Sequence, residues 1–549
     1  VEMYAKCGYL AKAQELHDGL VDRDVVSWTL LISGYVEDLQ FERALKCSEE
    51  MYFEGISPNS FTVVCFLKAC ASIESSIKGH EMHAQIIKNG CLEGNLFLGS
   101  ALVNMYAKCG DLGDARNVFD KLLVQNEVSW NALIAGYCDF GFGNESLVCF
   151  EEMEKRGVFL SIGTFVSALK ACSISGSRKK GEEIYSDVLK KGLEENVMVD
   201  NVLIDMYVKC GVIDAAENVF DRIIVRDVIS WTTLLTGYLE CGNSKETVAC
   251  FDCALHDGVD LNDVAYVCGL KACRSIQSLT KGREIHSYVV KKGMERETSV
   301  TSSLIDMYGK CGSLQDAKNV FDGHECQTTV AWNALIVSYM EHSYFTEAFN
   351  CCTIMQNHGI SLDAITFSCK LKTCANKEIP AVHIEITMKS LERDLMISNV
   401  LIDMYAKCGM FLEARAILDK LPTQTVIAWT TLIAGLTDHG YVEEALHCFQ
   451  EMQVKELCLN SVTYVCILKA CAGMRSCIWG QELHIEVSRK GLERDILVGS
   501  ALVDMYFKCH RLVEAQDVFN NILDQDVVLW NALIAGYTEN GFGEEALKA

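Results

Sequence analysis

Met105-Tyr106-Ala107-Lys108-Cys109-Gly110 decides the fold, because it does not occur alone. Its Met-Tyr-x-Lys-Cys core starts again at Met206, Met307, Met404 and Met505, at spacings of 101, 101, 97 and 101 residues. Two further strings keep the same beat. Leu-Lys-x-Cys begins at Leu67, Leu169, Leu270, Leu371 and Leu468, and Trp-(Asn/Thr)-x-Leu at Trp28, Trp130, Trp231, Trp332, Trp429 and Trp530. Self-similarity at a fixed period is the signature of a stacked-repeat architecture.

Each period divides into three unlike units. In the first they are 25–59, 60–95 and 96–126, so the triplet is 25–126. The same division gives triplets 127–227, 228–328, 329–425 and 426–526, with partial units 1–24 and 527–549 at the ends. The middle unit of the fourth triplet, 364–394, is shorter than its counterparts. Within 127–161, Trp130, Leu133, Ile134 and Tyr137 fall at i, i+3, i+4 and i+7, which is one helical face. After Gly141–Gly143, Ser146, Phe150 and Met153 make a second stripe. Each unit therefore reads as two amphipathic helices. One hairpin cannot bury its stripe alone, so neighbouring hairpins must stack. An all-α solenoid follows.

Composition agrees. The 549 residues include only 3 prolines, Pro58, Pro380 and Pro422, which favours long runs of helix. The 28 cysteines mostly sit at repeated, apolar-flanked helical positions, where a thiol acts as a small hydrophobe, and a reduced compartment is expected. No apolar run approaches the length of a membrane span. Val1 and Ala549 both fall inside a repeat, so a longer chain is expected, and a targeting peptide or further domain is expected to lie outside these residues. The formal net charge of −25 argues against a non-specific nucleic-acid binder and fits a scaffold for basic proteins equally well.

The ordered strings resemble the P, L and S units of plant pentatricopeptide repeat proteins of the PLS class. Val128-Ser129-Trp130-Asn131-Ala132-Leu133-Ile134-Ala135-Gly136-Tyr137 carries the likeness for P, Leu67-Lys68-Ala69-Cys70-Ala71 for L, and Ala101 to Gly110 for S. The resemblance covers essentially the whole chain. It implies a right-handed superhelix of helical hairpins in which one repeat reads one base of single-stranded RNA. It also implies that the fifth and last residues of P and S units read the base. The fifth residues of P are Thr29, Asn131, Thr232, Asn333, Thr430 and Asn531; those of S are Ser100, Asn201, Ser302, Asn399 and Ser500. The last residues are Asn59, Asn126, Ser161, Asp227, Asn262, Thr328, Asp363, Thr425, Asn460 and Asp526, with Asp24 closing the first fragment. All are small groups that donate or accept hydrogen bonds. Helix capping explains the last position well, because it precedes each first helix, but it explains the fifth, inside the first turns, badly. L units carry Val64, Val166, Val267, Ser368 and Val465 at position five, and valine offers a base no hydrogen bond.

Second residues are mostly apolar: Val26, Phe97, Val128, Met198, Ile229, Val330 and Ile427. The family uses this position to sandwich bases, and ordinary packing explains it as well. Lys108, Lys209, Lys310, Lys407 and Lys508 recur at residue 13 of S units, and Lys68, Lys170, Lys271, Lys372 and Lys469 at residue 9 of L units. These are candidates for phosphate contact, with a solvated helix face as the alternative.

Relatives of this class often end in a zinc-dependent cytidine deaminase domain, which needs His-x-Glu followed by Pro-Cys-x-x-Cys. His383-Ile384-Glu385 and His484-Ile485-Glu486 match only the first half, and Cys250-Phe251-Asp252-Cys253 has no second pair. No catalytic, cofactor or metal constellation is visible within these residues, so the chain reads as a binding protein and not an enzyme. The expectation is sequence-specific binding of organellar RNA, in the mitochondrion or chloroplast. Target-site recognition for C-to-U editing comes first, with editing accessory proteins or a deaminase-bearing partner alongside. Splicing, stability or translation factors and a protein-binding helical scaffold are the alternatives.

Overall fold

The computed structural model describes residues 1–88, 95–193, 196–324, 328–374, 377–455, 457–522 and 526–548. Among them lie 34 α-helices, three short 3-10 turns and no strand. No described helix is long and apolar enough to cross a membrane. The chain forms two compact units, Val1–Ser278 and Leu279–Ala549. Within each, helices alternate as hairpins: Leu96–Cys109 packs on Leu112–Lys121 and on the next first helix, Glu127–Asp139.

The local causes repeat with the sequence. Apart from Glu2–Lys6 and Thr298–Lys310, first helices begin after an Asn, Asp, Ser or Thr whose side chain accepts a backbone N–H, a cap worth about 1 kcal/mol. Many end at a glycine with positive φ, such as Gly110 at +85°, where a side chain would be strained. The cores are aromatic-edged. Phe119 meets Trp130 edge-on at 4.4 Å, and Phe220–Trp231, Phe321–Trp332 and Phe519–Trp530 repeat the contact at 4.4–4.7 Å. Leu418 replaces that phenylalanine in the fourth triplet, and the Arg415 guanidinium lies 4.9 Å from the Trp429 ring instead.

The tyrosine of Met-Tyr-x-Lys-Cys also has a partner. His83, His286, His383 and His484 place Nδ1 2.8–2.9 Å from the hydroxyls of Tyr106, Tyr308, Tyr405 and Tyr506. Burial lowers the pKa of all four imidazoles. A group whose folded pKa is depressed contributes stability above its unfolded pKa, about 6.5, and loses it as pH falls towards the folded value. The urea midpoint is therefore expected to fall from pH 6.5 to about pH 5, before the carboxylates titrate. Substituting the four histidines by asparagine is expected to flatten that slope; an unchanged slope would contradict the assignment.

Candidate nucleic-acid interface

The last residue of each P and S unit is a helix cap. Asn59, Asn126, Ser161, Asp227, Asn262, Thr328, Asp363, Thr425, Asn460 and Asp526 each accept the backbone N–H three residues on. Asp24 does the same. Capping is thus real, and it has a consequence. An Asn cap spends Oδ1 as the acceptor and keeps Nδ2, a donor; an Asp cap spends one oxygen and keeps another acceptor. Burial pushes the Asp227 carboxyl up, but hydrogen bonds from the Ser230 backbone and hydroxyl and from Asn201 outweigh it and hold the pKa below the ordinary value. Asp227 is accordingly ionised and purely an acceptor near neutral pH.

The fifth residue meets this cap across 26–30 residues of chain. Asn201 Nδ2 donates to Asp227 Oδ1 (3.4 Å) and Asn333 Nδ2 to Asp363 Oδ2 (2.6 Å). The Ser100 and Thr232 hydroxyls lie 3.1 Å from Asn126 Oδ1 and 3.2 Å from Asn262 Oδ1, and share their one proton with the Leu96 (2.9 Å) and Val228 (2.6 Å) carbonyls of their own helices. Thr29, Asn131 and Thr430 reach their caps through one more hydroxyl: Thr62, Thr164 and Thr463 stand 2.6, 2.7 and 2.7 Å from them. Ser302 and Ser500 bond only carbonyls of their own helices, at 2.5 Å (Thr298) and 2.7 Å (Ile496). The Asn399 side-chain carbonyl is buried without a partner, and no bond joins it to Thr425. Seven of these ten pairs are therefore brought together, directly or through one side chain. Asn531 lies in the last partial unit, beyond its first turn from Asp526.

Second residues are exposed rather than packed. Val26, Val128, Met198, Ile229, Val330 and Ile427 are more than half exposed, and Phe97 is 81% exposed. This separates the two explanations left open by the sequence, since packing does not account for apolar side chains in water at a fixed register. Ile427 and Val462, second residues of consecutive units, line a cavity of ≈ 410 Å³ together with Thr430 and Asn460. Asp403, Lys407 and Asp438 also line it. At this junction the fifth, last and second positions converge on one space.

The S-unit lysines are mostly paired. Lys209, Lys407 and Lys508 bridge to Asp205, Asp403 and Asp504 at 2.7–3.1 Å, four residues earlier on the same helix, and Lys310 bridges to Glu341. Lys108 has Asn104 at that spacing and no carboxylate partner among the described residues. Lys170 of an L unit lies 3.5 Å from Asp139.

In L units Val64, Val166, Val267 and Val465 are half-buried, and Ser368 is buried with its hydroxyl on the Ala364 carbonyl. Val64→Ala, Val166→Ala and Val267→Ala are expected to leave the preferred base at every RNA position unchanged. Binding to four RNAs differing at one nucleotide checks this, and any shifted preference would contradict it.

The remaining motifs dissolve into packing. His383 and His484 hold tyrosines, while Glu385 pairs with Lys370 at 2.9 Å and Glu486 accepts from Tyr464 at 2.7 Å. Cys250 is buried and Cys253 exposed. Among the described residues no group of His, Cys, Asp and Glu is arranged to hold a metal ion. Sequence reasoning missed the threonines at residue 3 of L units, although their recurrence at 62, 164, 366 and 463 was visible in the same period.

The model described as the PPR repeat family matches residues 23–72, 125–174, 327–376 and 424–473, and the PPR repeat model matches 100–126, 201–228, 229–259, 299–323, 397–424 and 528–549. Among similar proteins are three pentatricopeptide repeat-containing proteins of Arabidopsis thaliana. A mitochondrial one is 32% identical across 100% of this chain and 60% of its own length. A chloroplastic one is 33% identical across 85% and 76%, and a second mitochondrial one 32% identical across 100% and 72%. The chain thus spans about 60% of the length of the first of these. These relatives are organellar, and an organelle is the compartment of the present chain too. Its fold is similar to that of the maize protein PPR10, at a TM-score of 0.64 and 19% identity over 97% of this chain and 84% of that one. PPR10 in complex with an 18-nt psaJ RNA element gives a TM-score of 0.58 at 18% identity, over 100% and 82%.

Proposed function

As the chain belongs to the pentatricopeptide repeat family, we propose that it binds one single-stranded RNA sequence in an organelle, one base to each P or S unit. The triplets 25–126, 127–227, 228–328, 329–425 and 426–526 are taken as P-L-S. The observation that carries this reading is the convergence of fifth, last and second residues, seen most fully where Thr430, Asn460, Ile427 and Val462 line one cavity. A base entering it gains an apolar surface for its faces and hydrogen-bonding groups for its edge.

The caps explain the code in chemical terms. The Asn donor left over from capping meets an unprotonated ring nitrogen, as in adenine. The Asp acceptor meets a ring N–H, as in uracil or guanine. With the family's rule for position five, read 5′ to 3′ from the N-terminus, the site is A-N-A-C-N-U-A-N-R-U-N-Y-A-N-G, with L units unassigned. Recognition of a C-to-U editing site, with an accessory or deaminase-bearing partner, is the role we favour. The restriction of position five to Asn, Ser and Thr supports RNA reading over a protein-binding scaffold.

With Lys170, Lys209, Lys310, Lys407 and Lys508 in ion pairs and a net charge of −25, stacking and edge contacts dominate over phosphate contacts. With about two to five effective phosphate contacts, log affinity is expected to fall with log salt at a slope of roughly −1.4 to −3.5. Fluorescence anisotropy with an RNA of the stated order, a shuffled RNA of equal composition and a salt series tests the proposal. Equal affinity for both RNAs would overturn it, and a slope near −7 would overturn the charge argument.

A further inference from the structure

Three threonine hydroxyls at P–L junctions stand between the two residues proposed to read a base. Thr62, Thr164 and Thr463 are each the third residue of an L unit and each at most 2% exposed. We propose that they are positioning residues which fix the hydrogen-bonding polarity that the preceding P unit presents to its base. This rests on the RNA-reading proposal above.

The argument is one of counting protons. A hydroxyl has one proton to donate, and a side-chain carbonyl has none. Thr164 Oγ1 lies 2.7 Å from Asn131 Oδ1, which only accepts, so the Thr164 proton is committed there. The Asn131 amide is held with its carbonyl on Thr164 and is left with Nδ2, a donor whose one other contact is Glu127 at 3.5 Å. A donor matches the unprotonated N3 of cytosine and opposes the N3–H of uracil. Without the threonine hydroxyl the amide is free to turn over and present an acceptor.

The same count runs the other way at Thr430. Asn460 Oδ1 accepts both the backbone N–H of Thr463 (2.9 Å) and its hydroxyl (2.8 Å). The Thr463 proton is spent, so the 2.7 Å contact between Thr430 and Thr463 must use the proton of Thr430. Thr430 then offers a base only lone pairs, while Asn460 keeps Nδ2. An acceptor beside a donor complements the N6 amine and N1 of adenine and opposes the O6 and N1–H of guanine. Thr62 shares the geometry, 2.6 Å from Thr29 and 3.0 Å from Asn59 Oδ1, but the Val25 carbonyl 2.5 Å from Thr29 competes for the Thr29 proton, so the count is fixed at Thr430 and not at Thr29. The two other junctions do without a relay. Ala265 has no hydroxyl, and Thr232 meets Asn262 Oδ1 directly at 3.2 Å, with the Val228 carbonyl at 2.6 Å. Thr366 bonds only Asp363, which holds Asn333 itself. The L units, whose own position five is apolar, thereby acquire a part in specificity.

The test uses Thr164→Val and Thr463→Val in the full chain, near-isosteric changes that remove only the hydroxyl. Probes are RNAs of the order given above with N filled by uridine, varied at the nucleotide assigned to Asn131 or to Thr430. Thr164→Val is expected to cut the cytosine-over-uracil ratio about three- to tenfold, the worth of one neutral hydrogen bond. Thr463→Val is expected to cut adenine-over-guanine by the same factor. Ratios at other nucleotides stay put, Thr→Ser restores each ratio, and Thr366→Val leaves its own position's ratio unchanged. Unchanged ratios in both valine variants, equal weakening on all RNAs, or loss of the thermal transition in both would overturn the proposal. If Asn131→Thr still moves the preferred base while the valine variants do not, base reading stands and the relay alone falls. If none of them moves it, the reading itself is wrong.

Discussion

Asn131→Thr is expected to move the preferred base at that unit's nucleotide from cytosine to a purine. The change is sterically safe, because sister units already carry Thr29, Thr232 and Thr430 at this position. The Ser161 cap is untouched, and its hydrogen bonds run to Thr164. The amide donor disappears, and a hydroxyl on a shorter stem takes its place, leaving room for the larger ring. Each good pairing discriminates by about 1–3 kcal/mol, so the best purine is expected to bind at least about fivefold tighter than cytosine. Affinities for four RNAs differing at that nucleotide check this. Persisting preference for cytosine means position five does not read the base, and a protein-binding scaffold becomes the better account.

Combined Ile427→Ser and Val462→Ser are expected to weaken binding of the same RNA by about ten- to a hundredfold without altering base preference. Both side chains are more than half exposed, so the unfolding midpoint is expected to hold. The loss comes from the faces of one base, whose contact with a stacking surface is worth about 1–3 kcal/mol. The salt slope is expected to stay where it is, since no cation is removed. A fall in stability that accounts for the lost affinity would return these residues to ordinary packing.

The helices were legible because stripes such as Trp130, Leu133 and Ile134 recur on one period, and burial follows from them directly. The caps were legible from residue type. The exposure of Phe97 and Ile427 was not, since an apolar residue at a helix start reads alike whether it is covered or not. The pairing of Lys209, Lys407 and Lys508 was available from Asp four residues earlier, and Asn104 marks Lys108 as the exception. Read by their recurrence alone, without those neighbours, the lysines look like free cations. The relay threonines were hidden for a different reason. A threonine at the third helical position is what a capping motif supplies. Only the side chain arriving from the preceding unit, 33 residues back, gives Thr164 a second role.

The most direct measurement is selection from a random single-stranded RNA library by the full chain, followed by sequencing. The account predicts enrichment of A-N-A-C-N-U-A-N-R-U-N-Y-A-N-G, with weak preference at the positions assigned to L units and the strongest at those of Asn131, Thr232 and Thr430. Enrichment of an unrelated motif, or of none, would contradict it.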